Sequence, residues 1–215
     1  MIKKIQIELV ILLLILINIF WSHSLDVGVY NYFSKLNYGS EAVHLKEFFV
    51  SITKLGDSFW YFSIIFFVFL ISFLGFKTKV LSSNNFLYLK NFSIFCFSYL
   101  LLVGLTTQFL KHVIGRPRPN HTNFNSNTIF NFFSTDSAFH SFPSGHSSTI
   151  IAITLIACIT IPSLRMFFYI CGFLIALSRV VVGAHFITDV VAGAILSIIL
   201  FKILNFFFKK KYPKL

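Results

Sequence analysis

Charge is scarce in this chain of 215 residues: Asp, Glu, Lys and Arg together make up 12%, about half the share of a soluble domain. With 56% hydrophobic residues and a mean hydropathy of +0.81, the chain reads as an integral membrane protein. Cysteine is scarce too. Cys96, Cys158 and Cys171 lie inside apolar runs, an odd number in a setting that suits small buried hydrophobes and excludes a disulfide framework or a thiolate metal site. Acids are fewer than bases, seven against eighteen, for a net charge of +11. The bases are scattered over loop ends rather than gathered on one amphipathic face, so membrane topology accounts for them and no nucleic-acid partner is expected. No repeat, heptad, low-complexity tract or long linker interrupts the chain, which reads as one domain over residues 1–215.

What is present is a series of apolar runs. At about 20 residues per span, they predict an all-α fold, a six-transmembrane-helix bundle with spans near 5–21, 59–76, 91–110, 147–161, 166–183 and 186–208. The first run follows Lys3 and Lys4, as a signal peptide would, but it is long and no A-x-A site follows it, so it is read as a retained span. Glu8 lies near enough to its inner end to snorkel. With a cytoplasmic N-terminus, the inner segments hold ten Lys and Arg residues and no acid, whereas the outer segments hold seven with six acids. That is the positive-inside bias. Both termini are then cytoplasmic, and the polar loop 111–146 faces outward.

Three clusters share that outer side, and their chemistry is costly near a bilayer unless it is used. "KHVIGRPRP" closes the third span with Lys111, Arg116 and Arg118. A snorkelling anchor would explain three bases, but such anchors belong on the inner side; here they match the oxygens of a phosphate. "PSGH", Pro143 to His146, stands where a helix begins. It can be a simple helix cap, or the free amides at Ser144 and Gly145 can hold an anion, with His146 beside it. "SRVVVGAHFITD" links the fifth and sixth spans through Ser178, Arg179, His185 and Asp189. On a helix, His185 and Asp189 share a face, so the carboxylate can hold one imidazole nitrogen and leave the other free as a nucleophile or base. An ordinary helical His–Asp pair is the bland alternative. A metal site is not expected, because the set has no nearby Cys, no second carboxylate and three cations.

The clusters can meet. Between His146 and Arg179 the chain has room for two helical legs of about 24 Å around Pro162. Lys111 ends its span after about twenty residues at a similar height. A phosphate bound there would sit at headgroup depth.

In these motifs the chain resembles the membrane-bound type 2 phosphatidic acid phosphatase superfamily of lipid phosphatases. That family's signature is Lys, six residues, Arg-Pro; then Pro-Ser-Gly-His; then Ser-Arg, five residues, His, three residues, Asp. Lys111 to Arg118-Pro119, Pro143 to His146, and Ser178-Arg179 to His185 to Asp189 match every fixed position in order. The resemblance implies that His185 is the nucleophile that forms a phosphohistidine, that Asp189 orients it, and that His146 is the general acid. It further implies that Lys111, Arg118, Arg179, Ser144 and Gly145 bind the phosphoryl oxygens without metal or cofactor. Arg116 falls outside the fixed pattern and is read as supporting. Soluble vanadium-dependent haloperoxidases share the signature, but six spans and short loops argue against that chemistry. A silent lipid-phosphate-binding protein would be expected to lose one of these residues, and none is missing.

The expected substrate is a phosphorylated or pyrophosphorylated lipid in the outer leaflet of a bacterial cytoplasmic membrane, with the active site at the periplasmic interface. Lipid A is preferred, since loop 120–142 is polar enough to receive a sugar headgroup; undecaprenyl pyrophosphate and phosphatidylglycerol phosphate are the alternatives. The stretch 48–62 looks like the segment before the second span in bacterial members, but its aromatics suit any interfacial belt.

Overall fold

The structure, a computed structural model, describes residues 6–21, 23–36, 40–121 and 130–211. These residues form helices and no strand: α1 (Gln6–Trp21), α2 (Ser24–Leu36), α3 (Ser40–Ile52), α4 (Ser58–Lys77), α5 (Ser83–Ile114), α6 (Gly145–Thr160), α7 (Arg165–Val181) and α8 (Ile187–Lys211), with short 3-10 turns between some of them. Each expected span falls on one of these helices. Four of them, α4, α5, α8 and α7 taken with the 3-10 turn before it (Pro162–Val181), are long and apolar enough to cross a bilayer, while α1 and α6 are apolar but have 16 residues each.

Helix ends follow from local chemistry. Asp57, Ser82 and Ser144 cap α4, α5 and α6, each side chain accepting a hydrogen bond from an amide of the first turn. α5 ends at Gly115, whose φ of 56° is left-handed; a Cβ there would lie 1.6 Å from the Asn131 carbonyl oxygen. Its 32 residues start eight positions before the expected span, because Ser82 opens a polar first turn that hydropathy alone does not count.

α6 is the centre of the bundle, packed on α5, α7 and α8, whereas α4 lies mainly against α5. Small residues allow the α6–α8 approach. At Gly193 a Cβ would come within 2.6 Å of the Ser144 carbonyl oxygen and 2.9 Å of Ser148 Oγ. Ser197 Oγ donates to the Ser148 carbonyl at 2.6 Å, and Tyr99 of α5 donates to the Ser197 carbonyl at 2.7 Å, tying three helices together inside the apolar interior. α1 leans on α8 through Ile15 against Ala192 and Ile195, and Glu8 is paired with Lys202 instead of only snorkelling.

The sequence reading left residues 24–52 as an outer segment without structure. Apart from 37–39, which lie outside the described residues, they form α2, packed on α7 and α8, and α3, packed on α7, and α2 brings the buried Asp26 to Arg116.

Candidate functional site

The end of α5, the start of α6 and the α7–α8 junction surround one cavity of about 520 Å³. Lys111, Arg118, Arg179, Gly145, His146 and His185 border it, so residues from all three sequence motifs share one space. Its remaining walls are half apolar: Phe62 comes from α4, and Leu100, Val103 and Gly104 from α5.

Each cation is held by the backbone or by a hydroxyl. Lys111 Nζ donates to the His140 carbonyl at 2.7 Å. The Arg118 Nε–H donates to the Ser137 carbonyl at 3.0 Å, and its amide to the Ala138 carbonyl at 2.9 Å. Arg179 Nη1 donates to Thr53 Oγ1 at 2.8 Å. Such anchoring fixes three positive heads around the cavity, where a phosphate's oxygens would meet them.

Gly145 and His146 open α6, so their amides have no acceptor within the helix. Ser144, expected to touch phosphate, lies fully buried behind the cavity. Its amide donates to the Asp189 carbonyl at 3.0 Å, and its Oγ accepts from the Ser147 hydroxyl at 2.8 Å. It therefore locks the α6 N-terminus to α8, and Gly145 and His146 are the residues of this motif that face the cavity.

His185 lies between α7 and α8, its Nδ1 3.7 Å from Asp189 Oδ2, an ion-pair distance slightly longer than a hydrogen bond. Burial pushes its imidazole down from the ordinary histidine value to about 4, against the pull of the Asp189 carboxylate in the other direction. Asp189 is completely enclosed and makes three short contacts: Oδ2 accepts from Ser141 Oγ at 2.6 Å and from the Phe186 amide at 2.9 Å, and Oδ1 accepts from Arg116 Nη1 at 2.5 Å.

Arg116, which the sequence reads as supporting, holds residues to which the sequence assigns no role. Arg116 is fully buried, and besides Asp189 its Nη1 reaches Thr188 Oγ1 at 2.9 Å while Nη2 reaches Asp26 Oδ2 at 2.7 Å. Its guanidinium lies 4.3 Å over the Phe186 ring. A second carboxylate thus does stand close to Asp189, contrary to the sequence expectation; it comes from α2, which no motif spacing could anticipate. Ser141 and His140, two residues left without a role, shape the site through Asp189 and Lys111. The turn before α4 contributes as well: Asp57 borders the cavity, and Gly56 is so close to His146 that a Cβ would sit 3.0 Å from its Cβ and Cδ2. The polar loop expected to receive a headgroup is described only at 120–121 and 130–142, its tip at 122–129 lying outside the described residues.

Comparison with known proteins identifies the family. A lipid A 1-phosphatase of Rhizobium etli is 36% identical over 153 residues, 69% of this chain and 65% of that protein. A lipid A 1-phosphatase of Rhizobium johnstonii is 36% identical over 154 residues, 70% of this chain and 61% of its own length. The chain spans less than two thirds of these curated relatives. The crystal structure of a transmembrane PAP2 type phosphatidylglycerolphosphate phosphatase from Bacillus subtilis superposes with a TM-score of 0.70 at 23% identity, covering 96% of each chain. That of LpxE from Aquifex aeolicus gives 0.55 at 21% identity, over 87% of this chain and 98% of the other. These two structures share the fold, and the PAP2 superfamily profile matches residues 92–213, more than half of the sequence. The chain is a multi-pass integral membrane protein and belongs to the PAP2 superfamily.

Proposed function

We propose that the chain is a lipid phosphatase that removes phosphate from lipid A through a phosphohistidine. The observation that carries this reading is one cavity bordered by three anchored cations and two imidazoles, one of them backed by a buried carboxylate. The lipid A 1-phosphatases among its relatives support the choice of substrate.

In this reading Lys111, Arg118 and Arg179, with the free amides at Gly145 and His146, hold the phosphoryl oxygens and spread the charge of the transition state. His185, oriented from Nδ1 by Asp189, attacks phosphorus through Nε2. The phosphorus–oxygen bond to the lipid breaks, and His146 gives its proton to the leaving oxygen. Water then attacks the phosphohistidine, His146 takes the water's proton, and inorganic phosphate and free His185 are regenerated. Ser144 acts on this chemistry only by fixing the start of α6. The reading needs no metal or cofactor, and among the described residues no three His, Cys, Asp or Glu side chains come together as a ligand set.

All six apolar helices span the membrane in this proposal. The sixteen residues of α6 reach about 24 Å, short of the hydrocarbon core of about 30 Å, so its flanking residues complete that span. The Lys and Arg distribution supports cytoplasmic termini in a bacterial inner membrane and a cavity opening to the periplasm. The whole chain acts as one domain.

Phosphate release from purified lipid A, undecaprenyl pyrophosphate and phosphatidylglycerol phosphate tests the reading. Wild-type protein is expected to act fastest on lipid A and to keep its activity in EDTA. His146→Ala should slow it by about 10²–10⁴-fold, and His185→Ala should abolish turnover. Activity surviving His185→Ala would refute the mechanism, and a wild type silent on every lipid would make the chain a binding protein.

A further inference from the structure

Beneath His185 lies a charge cluster of two carboxylates around one guanidinium, and its membership is unusual. Arg116 and Asp189 come from the motif region, but Asp26 comes from α2, before the segment that the family profile matches. All three side chains are sealed from solvent, with 1% or less of each exposed.

The hydrogen bonds divide Arg116 between its two partners. Nη1 serves Asp189 Oδ1 and Nη2 serves Asp26 Oδ2. Thr188 fixes the geometry of this split: its amide donates to Asp26 Oδ1 at 3.0 Å, its hydroxyl donates to Asp26 Oδ2 at 2.6 Å, and the same hydroxyl accepts from Arg116 Nη1. Thr188 is adjacent to Asp189 in α8, so Asp26 grips the very turn that carries the carboxylate facing His185.

The charge count gives the division a consequence. One guanidinium between two carboxylates leaves the buried cluster with one net negative charge, and Asp189 Oδ2 sets that charge 3.7 Å from His185 Nδ1, a residue bordering the cavity. Without Asp26, Arg116 would have only Asp189 to neutralise. Both its Nη groups could turn onto that carboxylate in the bidentate fork that guanidinium favours. The imidazole would then lose the negative charge that steadies it when it becomes positive on bonding to phosphorus.

We propose that Asp26 is a positioning residue for the nucleophile: by occupying half of Arg116 and gripping Thr188, it keeps Asp189 negative and directed at His185. This rests on the phosphatase reading above. Asp26 touches neither substrate nor reacting atoms. It acts through Arg116 and Asp189, and its effect therefore falls on turnover rather than on lipid binding.

The test is steady-state kinetics of the full-length protein in detergent micelles on its fastest lipid, with folding followed by thermal melting. Asp26→Asn is expected to lower kcat by about 10–100-fold, as removing the groups that orient metal-bound histidines does, with KM changed by less than about threefold. Asp26→Glu, which keeps the charge, should retain more activity than Asp26→Asn. The double variant Asp26→Asn with Arg116→Gln restores the net negative charge, and it should turn over faster than Asp26→Asn alone. If Asp26 only docks α2, the double variant should be slower than either single one, and that result would overturn the proposal, as would an unchanged kcat in Asp26→Asn. Should Asp26→Asn alone fail to fold, Arg116→Gln and the double variant decide the matter. A kcat in the double variant equal to or above that of Arg116→Gln is expected, and any lower kcat overturns the proposal. A wild type that releases no phosphate overturns the phosphatase reading itself, whereas an active wild type unaffected by Asp26→Asn overturns this proposal alone.

Discussion

His185 carries a cost and a use in the same property, its burial. Only 2% of it is exposed, and the desolvation that lowers its imidazole to about 4 keeps it neutral throughout the physiological range, as the proposed role of nitrogen nucleophile requires. Because its folded value lies below the unfolded value near 6.5, the unfolded chain binds more protons between these limits. The stability it contributes is present above about pH 6.5 and is lost as pH falls through the folded value near 4. Titration of carbon-13-labelled histidine in micelles, with the His185 signal assigned by its loss in His185→Gln, should show a midpoint near 4. A midpoint at or above 6.5 would contradict the burial account. Most of the site was legible at this scale because cations, imidazoles and a carboxylate are rare near apolar spans and so identify themselves. Asp26 was not legible. An aspartate in a polar outer segment looks like any solvated charge, and only its burial against Arg116 distinguishes it.

At the scale of helices, the site depends on how closely α6 and α8 approach. Gly193 permits it, and the atoms a Cβ would meet include the Ser144 carbonyl, part of the backbone and unable to rotate aside. Gly193→Ala should separate the two helices at the level of Ser144 and disturb the bond from its amide to the Asp189 carbonyl. The expected outcome is a lower melting temperature in micelles together with reduced turnover; an unchanged melting temperature would show that the pair can adjust. The six apolar helices were readable from hydropathy alone, since each is a sustained run. The α2 helix was not. Its 13 residues, SLDVGVYNYFSKL, mix a glycine, β-branched residues and polar groups, and a short segment of that composition is a poor helix by itself. Packing on α7 and α8 makes it one.

For the molecule as a whole, the charge asymmetry that sets orientation lies in the loops, while the cavity opens at the end of the bundle where Arg118 and His146 sit. A single cysteine placed at Asn120, in a variant with Cys96, Cys158 and Cys171 replaced by serine, should react with a membrane-impermeant maleimide on intact spheroplasts. One placed at Lys79 should react only after lysis, and the reverse pattern would invert the topology. The sequence by itself determined the helical class, the apolar helices and the three motif clusters, because hydropathy, spacing and residue chemistry are local properties that survive in any conformation. Only the tertiary structure decided that Arg116 belongs to two carboxylates, that Ser144 is buried and bonded to Asp189 and Ser147 instead of bordering the cavity, and that Asp26 of α2 reaches Arg116 and Thr188. Those facts come from contacts between residues up to 162 positions apart, as between Asp26 and Thr188, and burial gives such pairings their strength.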